Sequence, residues 1–184
     1  MDAAMNNAAT ALAAAADNYV ISCAMNAFNP RRLTFKESDP ESITNAILTA
    51  REILYNANVA EGSEVFLEVT PSVATAIFKA KLAMPNCDPS TLETGYIGSF
   101  AGCKIYVSNN LWTQPTDSSN ILNKCIMRTR RAITFAEQIS EVVAYRPENH
   151  FSDAVKGLMV YGAKVIHPEE LVLLDIETFD SNYL

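Results

Sequence analysis

The residues of this 184-residue chain that could carry chemistry are four cysteines, two histidines, three clustered arginines and one glycine-rich segment. A catalytic thiol needs a base within hydrogen-bond reach. Cys23, Cys87, Cys103 and Cys125 include no Cys-x-x-Cys pair. His150 falls in a turn-forming stretch, and His167 stands directly before Pro168. None of the six sits in a recognisable nucleophile elbow. A zinc site needs four ligands at suitable spacing, and Cys87, Cys103, His150 and His167 do not offer it. The cysteines read as single thiols of a reducing compartment, because a chain of this size can build a core without disulfides. The carboxylates are scattered, and Asp153, just ahead of a long apolar run, reads as a turn-former. No catalytic, cofactor-binding or metal-ligating residue is therefore expected.

Residues 95–102, Gly-Tyr-Ile-Gly-Ser-Phe-Ala-Gly, could be mistaken for a phosphate loop. A phosphate loop needs a strand before it and a helix after it, so that the helix N-terminus meets the anion. Here an apolar strand pattern follows, residues 103–108, and the glycines read as turn residues. Arg128, Arg130 and Arg131 are the densest positive charge. The chain as a whole carries a net charge of -7 and a pI of 4.8, which opposes non-specific affinity for nucleic acid over its whole surface. The three arginines read as a solvated strand face or as subunit-contact charge.

The elements that would hold these residues follow from pattern. With 49% hydrophobic and 19% charged residues, the composition is that of a globular chain of one domain, alone or with an extension. No apolar run approaches the about 18 residues that cross a bilayer. The alanine-rich start lacks a basic leader and a long apolar core, so it does not read as a signal peptide. Residues 3–25 predict one long helix, with an apolar stripe at Leu12, Ala16, Tyr19, Val20 and Cys23 and small alanines suited to close packing on a sheet. It has no capping signal beyond Asp2, so the chain is expected to begin inside or just before a longer element.

Ser38 or Asp39 caps a second helix with Pro40 in its first turn. Its inner face is Ile43, Ala46, Ile47, Ala50, Ile53, Leu54 and Ala57, and Glu41, Thr44, Arg51 and Glu52 face water. Gly62 breaks the chain. Residues 64–69 alternate as a strand, and Thr70-Pro71 opens a third helix to about residue 82. Residues 84–94 and 112–120 read as loops, residues 142–145 as a short strand, and the acidic tail 175–184 as frayed. Residues 151–174 read as an internal beam. Val155, Met159, Tyr161 and Val165 would lie on one face and Leu158, Val160 and Ile166 on the other, both covered. Gly157 and Gly162 would mark a bulge or a close backbone approach, and Pro168 would loosen the pairing. The sum is an α+β fold, helices on a mixed, mostly antiparallel sheet.

The order of several segments resembles the major capsid (coat) proteins of tailed bacteriophages and prophages, the Hong Kong ninety-seven type capsid fold. The segments are Ala132-Ile133-Thr134-Phe135-Ala136-Glu137-Gln138-Ile139, then Tyr145-Arg146-Pro147-Glu148. Phe151-Ser152-Asp153-Ala154-Val155-Lys156-Gly157-Leu158 and Val160-Tyr161-Gly162-Ala163-Lys164-Val165 follow, closed by His167-Pro168-Glu169. Residues 98–111, with Gly102, Val107-Ser108 and Asn110-Leu111, look like the segment that precedes this run in those proteins. The motifs are individually degenerate, and their order carries the resemblance.

The resemblance implies a spine helix of the peripheral domain over 1–27 and an axial domain over 28–161. It makes 162–184 the strand returning to the peripheral domain, with the tail. The N-terminal arm and long hairpin loop of the family do not precede the helix, which implies a fragment of a longer coat protein. The implied role is structural, not enzymatic: self-assembly into hexamers and pentamers of an icosahedral head around double-stranded DNA, in a virion assembled in a bacterial cytoplasm. The implied partners are copies of itself, a scaffolding protein, a portal and DNA held non-specifically, with no membrane and no cofactor. Asn86, Asp88, Trp112 and Pro115, in the loops expected at the axis, and Arg128, Arg130 and Arg131 are the expected subunit-contact residues. The alternatives are an encapsulin-type nanocompartment shell, a small Cys–His enzyme, or a peptide-binding module.

Overall fold

A computed structural model of the chain describes residues 2–27, 31–36, 40–59, 62–80, 95–117, 120–146, 148 and 154–179. The sequence expectations placed on Ser38, Asp39, Asn86, Cys87, Asp88, Pro147, His150 and Asp153, and the loop at 84–94, lie outside these residues.

Alanine-rich sequence without an internal glycine or proline forms α1, Asp2–Met25. Its buried side chains are Ala16, Ile21, Ala24 and Met25, while Leu12 and Tyr19 are exposed. The expected stripe is thus rotated. The reason is that α1 serves two surfaces: Ile21, Ala24 and Met25 join Leu111, Ile126, Leu171 and Leu173 in one apolar cluster, and Tyr19 and Cys23 turn to a strand pair described below. Ala9, Ala11, Leu12, Ala13 and Ala15 are exposed, so the alanines of this half do not serve close packing on a sheet.

The second helix, α2 (Pro40–Asn56), begins on proline, where the missing N–H would have had no helical partner. Ile43, Ala46, Ile47, Ala50 and Leu54 are buried as the spacing requires. Arg51, expected in water, is half-buried, with its guanidinium 4.5 Å from the centre of the Tyr55 ring and its Nη2 donating to the Tyr55 hydroxyl at 3.2 Å. Helix α3 (Pro71–Lys79) ends before the expected residue 82, with Ala80 at its C-cap.

Nine strands complete the described chain: β1 (Arg31–Lys36), β2 (Val65–Val69), β3 (Tyr96–Phe100), β4 (Cys103–Val107), β5 (Thr113–Asp117), β6 (Asn120–Thr129), β7 (Ile133–Tyr145), β8 (Ala154–Val165) and β9 (Leu171–Phe179). Seven form one sheet in the order β1-β9-β6-β2-β4-β3, with β5 beside β6. The β1–β9 and β2–β4 pairs are parallel; β2–β6, β3–β4, β5–β6 and β6–β9 are antiparallel. The sheet is mixed and mostly antiparallel, as expected. Helices α2 and α3 cover one face through Val65, Leu67, Val69, Ile105, Met127 and Val172, and the end of α1 covers part of the other.

Several local expectations are corrected. The glycine-rich stretch holds a strand, β3, before its turn; Ala101 (φ 50°) and Gly102 (φ 76°) make the tight left-handed corner into β4. Gly95 (φ 72°) lets Val107 N–H reach its carbonyl at 2.8 Å, where a Cβ would stand 2.8 Å from the Val107 oxygen. The polar stretch read as a loop, 112–120, contains β5, and the short strand at 142–145 is the end of the 13-residue β7. Residues 175–179, read as frayed tail, continue β9. β1 had no signal strong enough to be read as a strand.

The largest correction concerns the beam. β8 pairs only with β7 among the described residues, as a two-stranded ribbon outside the main sheet. Met159, Tyr161, Ala163 and Val165 are half-buried, whereas Lys156, Val160, Gly162, Lys164 and Ile166 are exposed. The alternation was legible and the double cover was not, because apolar Val160 and Ile166 look the same in sequence whether covered or bare. Gly162 has open space where a side chain would go, and the register shift lies in the partner strand, between Ile139 and Glu141. The strand covered on both faces is β9. Val172, Leu174 and Ile176 point into the α2–α3 cluster, and Leu171 and Leu173 into the α1 cluster. Pro168 does interrupt the strand run, in a single helical turn, Pro168–Glu170.

Candidate functional site

The thiols show what the fold does with its reactive groups. Cys23, Cys103 and Cys125 are free, and their surroundings differ. Cys23 donates to the Ala163 carbonyl at 3.7 Å, at the joint where Tyr19 meets Tyr161 edge-on at 5.5 Å between ring centres. Cys23 beside it makes the Tyr19 hydroxyl harder to ionise than an ordinary phenol. Burial raises the Cys103 thiol, and it pushes the fully buried Cys125 thiol up to about 12. Neither is a nucleophile near neutral pH.

This raised thiol has a thermodynamic consequence. Cys125 stays neutral in the fold but ionises near 9 when exposed, so its stabilising contribution is complete below pH 9 and is lost as pH rises towards 12. Melting temperature should fall above pH 9 more steeply in the wild type than in Cys125→Ala. Equal slopes in the two proteins would refute this reading.

His167 faces no thiol among the described residues; its Nδ1 lies 3.2 Å from Glu169 Oε1 on the surface. A backbone hydrogen bond and then His167 hold the Glu169 carboxyl below its usual value. Among the described residues, no three His, Cys, Asp or Glu side chains gather in a way that could hold a metal ion. No helix among the described residues is long and apolar enough to cross a membrane.

The three arginines do not form one patch. Arg128, on β6, is half-buried and gives Nε and Nη2 to Glu68 Oε1 on β2, at 3.1 and 2.5 Å. Arg128 stands directly opposite Phe66 and diagonal to Glu68 on the adjacent strand, within reach of a long side chain, so the charge is matched within the sheet. Arg130 and Arg131 sit exposed in the turn between β6 and β7. Sequence proximity could not separate them, because Glu68 lies 60 positions from Arg128.

Trp112 and Pro115 share one corner of the main sheet. Pro115 is exposed in the middle of β5. Trp112 stands just before β5, 47% exposed, with Lys124 Nζ 5.8 Å from the ring centre. The ring walls a cleft of about 530 Å³, with Asn18 from α1, Asn109 and Asn110 from the β4–β5 connection, Gln114 from β5 and Lys124 from β6. A second cleft, about 300 Å³, runs along the same helix edge between Asp17, Ile21, Tyr106 and Arg128. The sequence reading singled out Trp112 but missed its neighbours. Asn109, Asn110 and Gln114 are close enough to Trp112 in sequence to have been grouped with it, whereas Asn18 and Lys124 arrive only through the fold.

Comparison with known proteins places this architecture. The sequence matches no protein-family model and no curated protein sequence. Among solved structures, one from Mycobacterium phage Che8 is 29% identical over 95% of this chain, with a TM-score of 0.74. The capsid structure of the cyanophage P-SCSP1u is similar at 14% identity over 95% of the chain, with a TM-score of 0.65. A virus-like particle from Pyrococcus furiosus is similar at 18% identity over 88% of the chain, with a TM-score of 0.56. The chain spans 62%, 65% and 61% of the length of these three.

Proposed function

We propose that this chain, which has the phage-capsid fold, is a major capsid subunit of a tailed phage or prophage and works by assembly, not catalysis. Copies would join into hexamers and pentamers, whose heterologous contacts close into rings, and these would build an icosahedral head around double-stranded DNA. A scaffolding protein and a portal belong to the same proposal, as do non-specific DNA contact, location in the virion capsid and assembly in the host cytoplasm. The observation that carries it is the likeness to the Che8 phage structure over nearly the whole chain.

The surface supports an assembling chain. Phe135, Val160 and Ile166 on and beside the β7–β8 ribbon are 40%, 54% and 52% exposed, apolar area that a second copy would bury. The seven-stranded sheet with α2 and α3 would be the axial part, and α1 with the ribbon the peripheral part; the boundary expected at 161/162 falls inside β8. We retain Pro115, Arg130 and Arg131 as contact residues, since all three are exposed, and Asn86 and Asp88 by their place in the sequence. Arg128 would act within the subunit, through Glu68.

The test is sedimentation velocity with negative-stain imaging of the full reading frame that contains this chain. Uniform closed particles, or rings of five and six, are expected. Nucleic acid inside would favour a virus over a cellular shell such as an encapsulin. A monodisperse monomer, with and without the co-expressed neighbouring genes, would sink the capsid reading.

A further inference from the structure

We infer that the Trp112 cleft is a binding site for a neutral oligosaccharide, separate from the contacts that join subunits. Four residues with carboxamide side chains line it, Asn18, Asn109, Asn110 and Gln114, beside Trp112, which is nearly half exposed. None of the four amide side chains makes a hydrogen bond among the described residues. Three of them lie within residues 109–114, and the fold brings Asn18 of α1 to join them.

The chemistry selects the ligand class. Each carboxamide offers both a donor and an acceptor without charge, which is what a sugar hydroxyl, itself donor and acceptor, requires. An aromatic platform with a few placed polar groups suits a sugar ring, whose C–H face can lie on the indole. A multiply charged anion would meet one cation, Lys124, and otherwise uncharged groups, so a neutral ligand matches more of the lining.

An extended peptide fits poorly as well. Lys124 N–H donates to the Trp112 carbonyl, so Thr113–Asn123 is a non-hydrogen-bonded pair and, alternating along the register, Pro115–Ile121 is another. Pro115 therefore turns its nitrogen away from β6, to the outer edge of β5. That edge lacks the donor an added strand would need there.

Trp112 is the only tryptophan of the chain, so its fluorescence reports this cleft alone. The experiment titrates the 184-residue chain with maltohexaose, cellohexaose and mannohexaose. A saturable change in emission is expected with at least one, and its apparent Kd should rise at least tenfold in Asn109→Ala and in Gln114→Ala. Both side chains are exposed, and circular dichroism confirms that the variants are folded. In the full reading frame, Trp112→Ala should leave particle formation intact. No saturable change with any of the three sugars would overturn the inference, and so would a response of equal affinity in both amide variants. Loss of particles in Trp112→Ala would assign the ring to a contact between copies and overturn it too, while leaving the capsid reading in place.

Discussion

Leu174→Ala should lower the unfolding free energy by about 4 kcal/mol, the upper part of the range for a buried leucine truncated in a core that cannot collapse onto the gap. Leu174 is fully buried in β9, with Leu33 of β1 and Cys125 of β6 as its direct neighbours across the sheet. Its side chain joins the cluster under α2 and α3. Strands hold it on both sides and helices close the face above it, so relaxation has little room. Val160→Ala, in the exposed face of the ribbon, removes apolar volume too but should change stability by less than about 0.5 kcal/mol in the isolated chain. Denaturant unfolding of both variants measures the contrast. Similar losses would mean that β8, not β9 alone, behaves as an internal strand.

That contrast marks how much of the fold was legible. The two-fold alternation of β2, the one-sided face of α2 and the start of α3 at Pro71 were readable, because each pattern is local and its residues face one core. The α+β class and the mostly antiparallel sheet followed from their order. The choice between β8 and β9 was not readable. Both carry apolar residues in series, and only pairing partners distant in sequence, Leu33 and Cys125 for Leu174, decide which is covered. β5 was hidden for a different reason: Thr113, Gln114 and Thr116 are polar because an edge strand can face water, and polarity reads as loop. The family resemblance rested on segment order, including Gly157 and Gly162 inside β8 and Pro168 ahead of β9, and so survived the misplacement of the beam. At the candidate site, Trp112 was visible by type. The match between Arg128 and Glu68 and the arrival of Asn18 beside Trp112 are tertiary facts with no local signal.

Asn123→Ala tests the polar side of the same sheet and should cost about 3 kcal/mol, since it strands buried partners as well as removing hydrogen bonds. Asn123 lies inside β6 without solvent exposure. Its Oδ1 accepts from the Thr70 hydroxyl at 2.8 Å. Its Nδ2 donates to the Thr178 hydroxyl at 2.7 Å and to the carbonyls of Ile121 and Ile176, each at 3.2 Å. One amide thus ties the start of α3, the middle of β6 and the end of β9. Thr70 occupies the N-cap position of α3 but gives its hydroxyl to Asn123 and none to the helix, so local capping is traded for a long-range tie. With Asn123 gone, the hydroxyls of Thr70 and Thr178, both nearly inaccessible, lose their partner in the core. Replacing all three together, Thr70→Val, Asn123→Leu and Thr178→Val, should recover much of the loss, because an apolar cluster leaves no group unpaired. Urea unfolding of the single and triple variants provides the comparison. A triple variant no more stable than Asn123→Ala would show that steric fit, rather than hydrogen-bond satisfaction, sets the cost at this position. Full recovery would show that the network confers alignment of three elements more than net stability. For a subunit that assembles as proposed, alignment of α3, β6 and β9 is the property that its contacts would read.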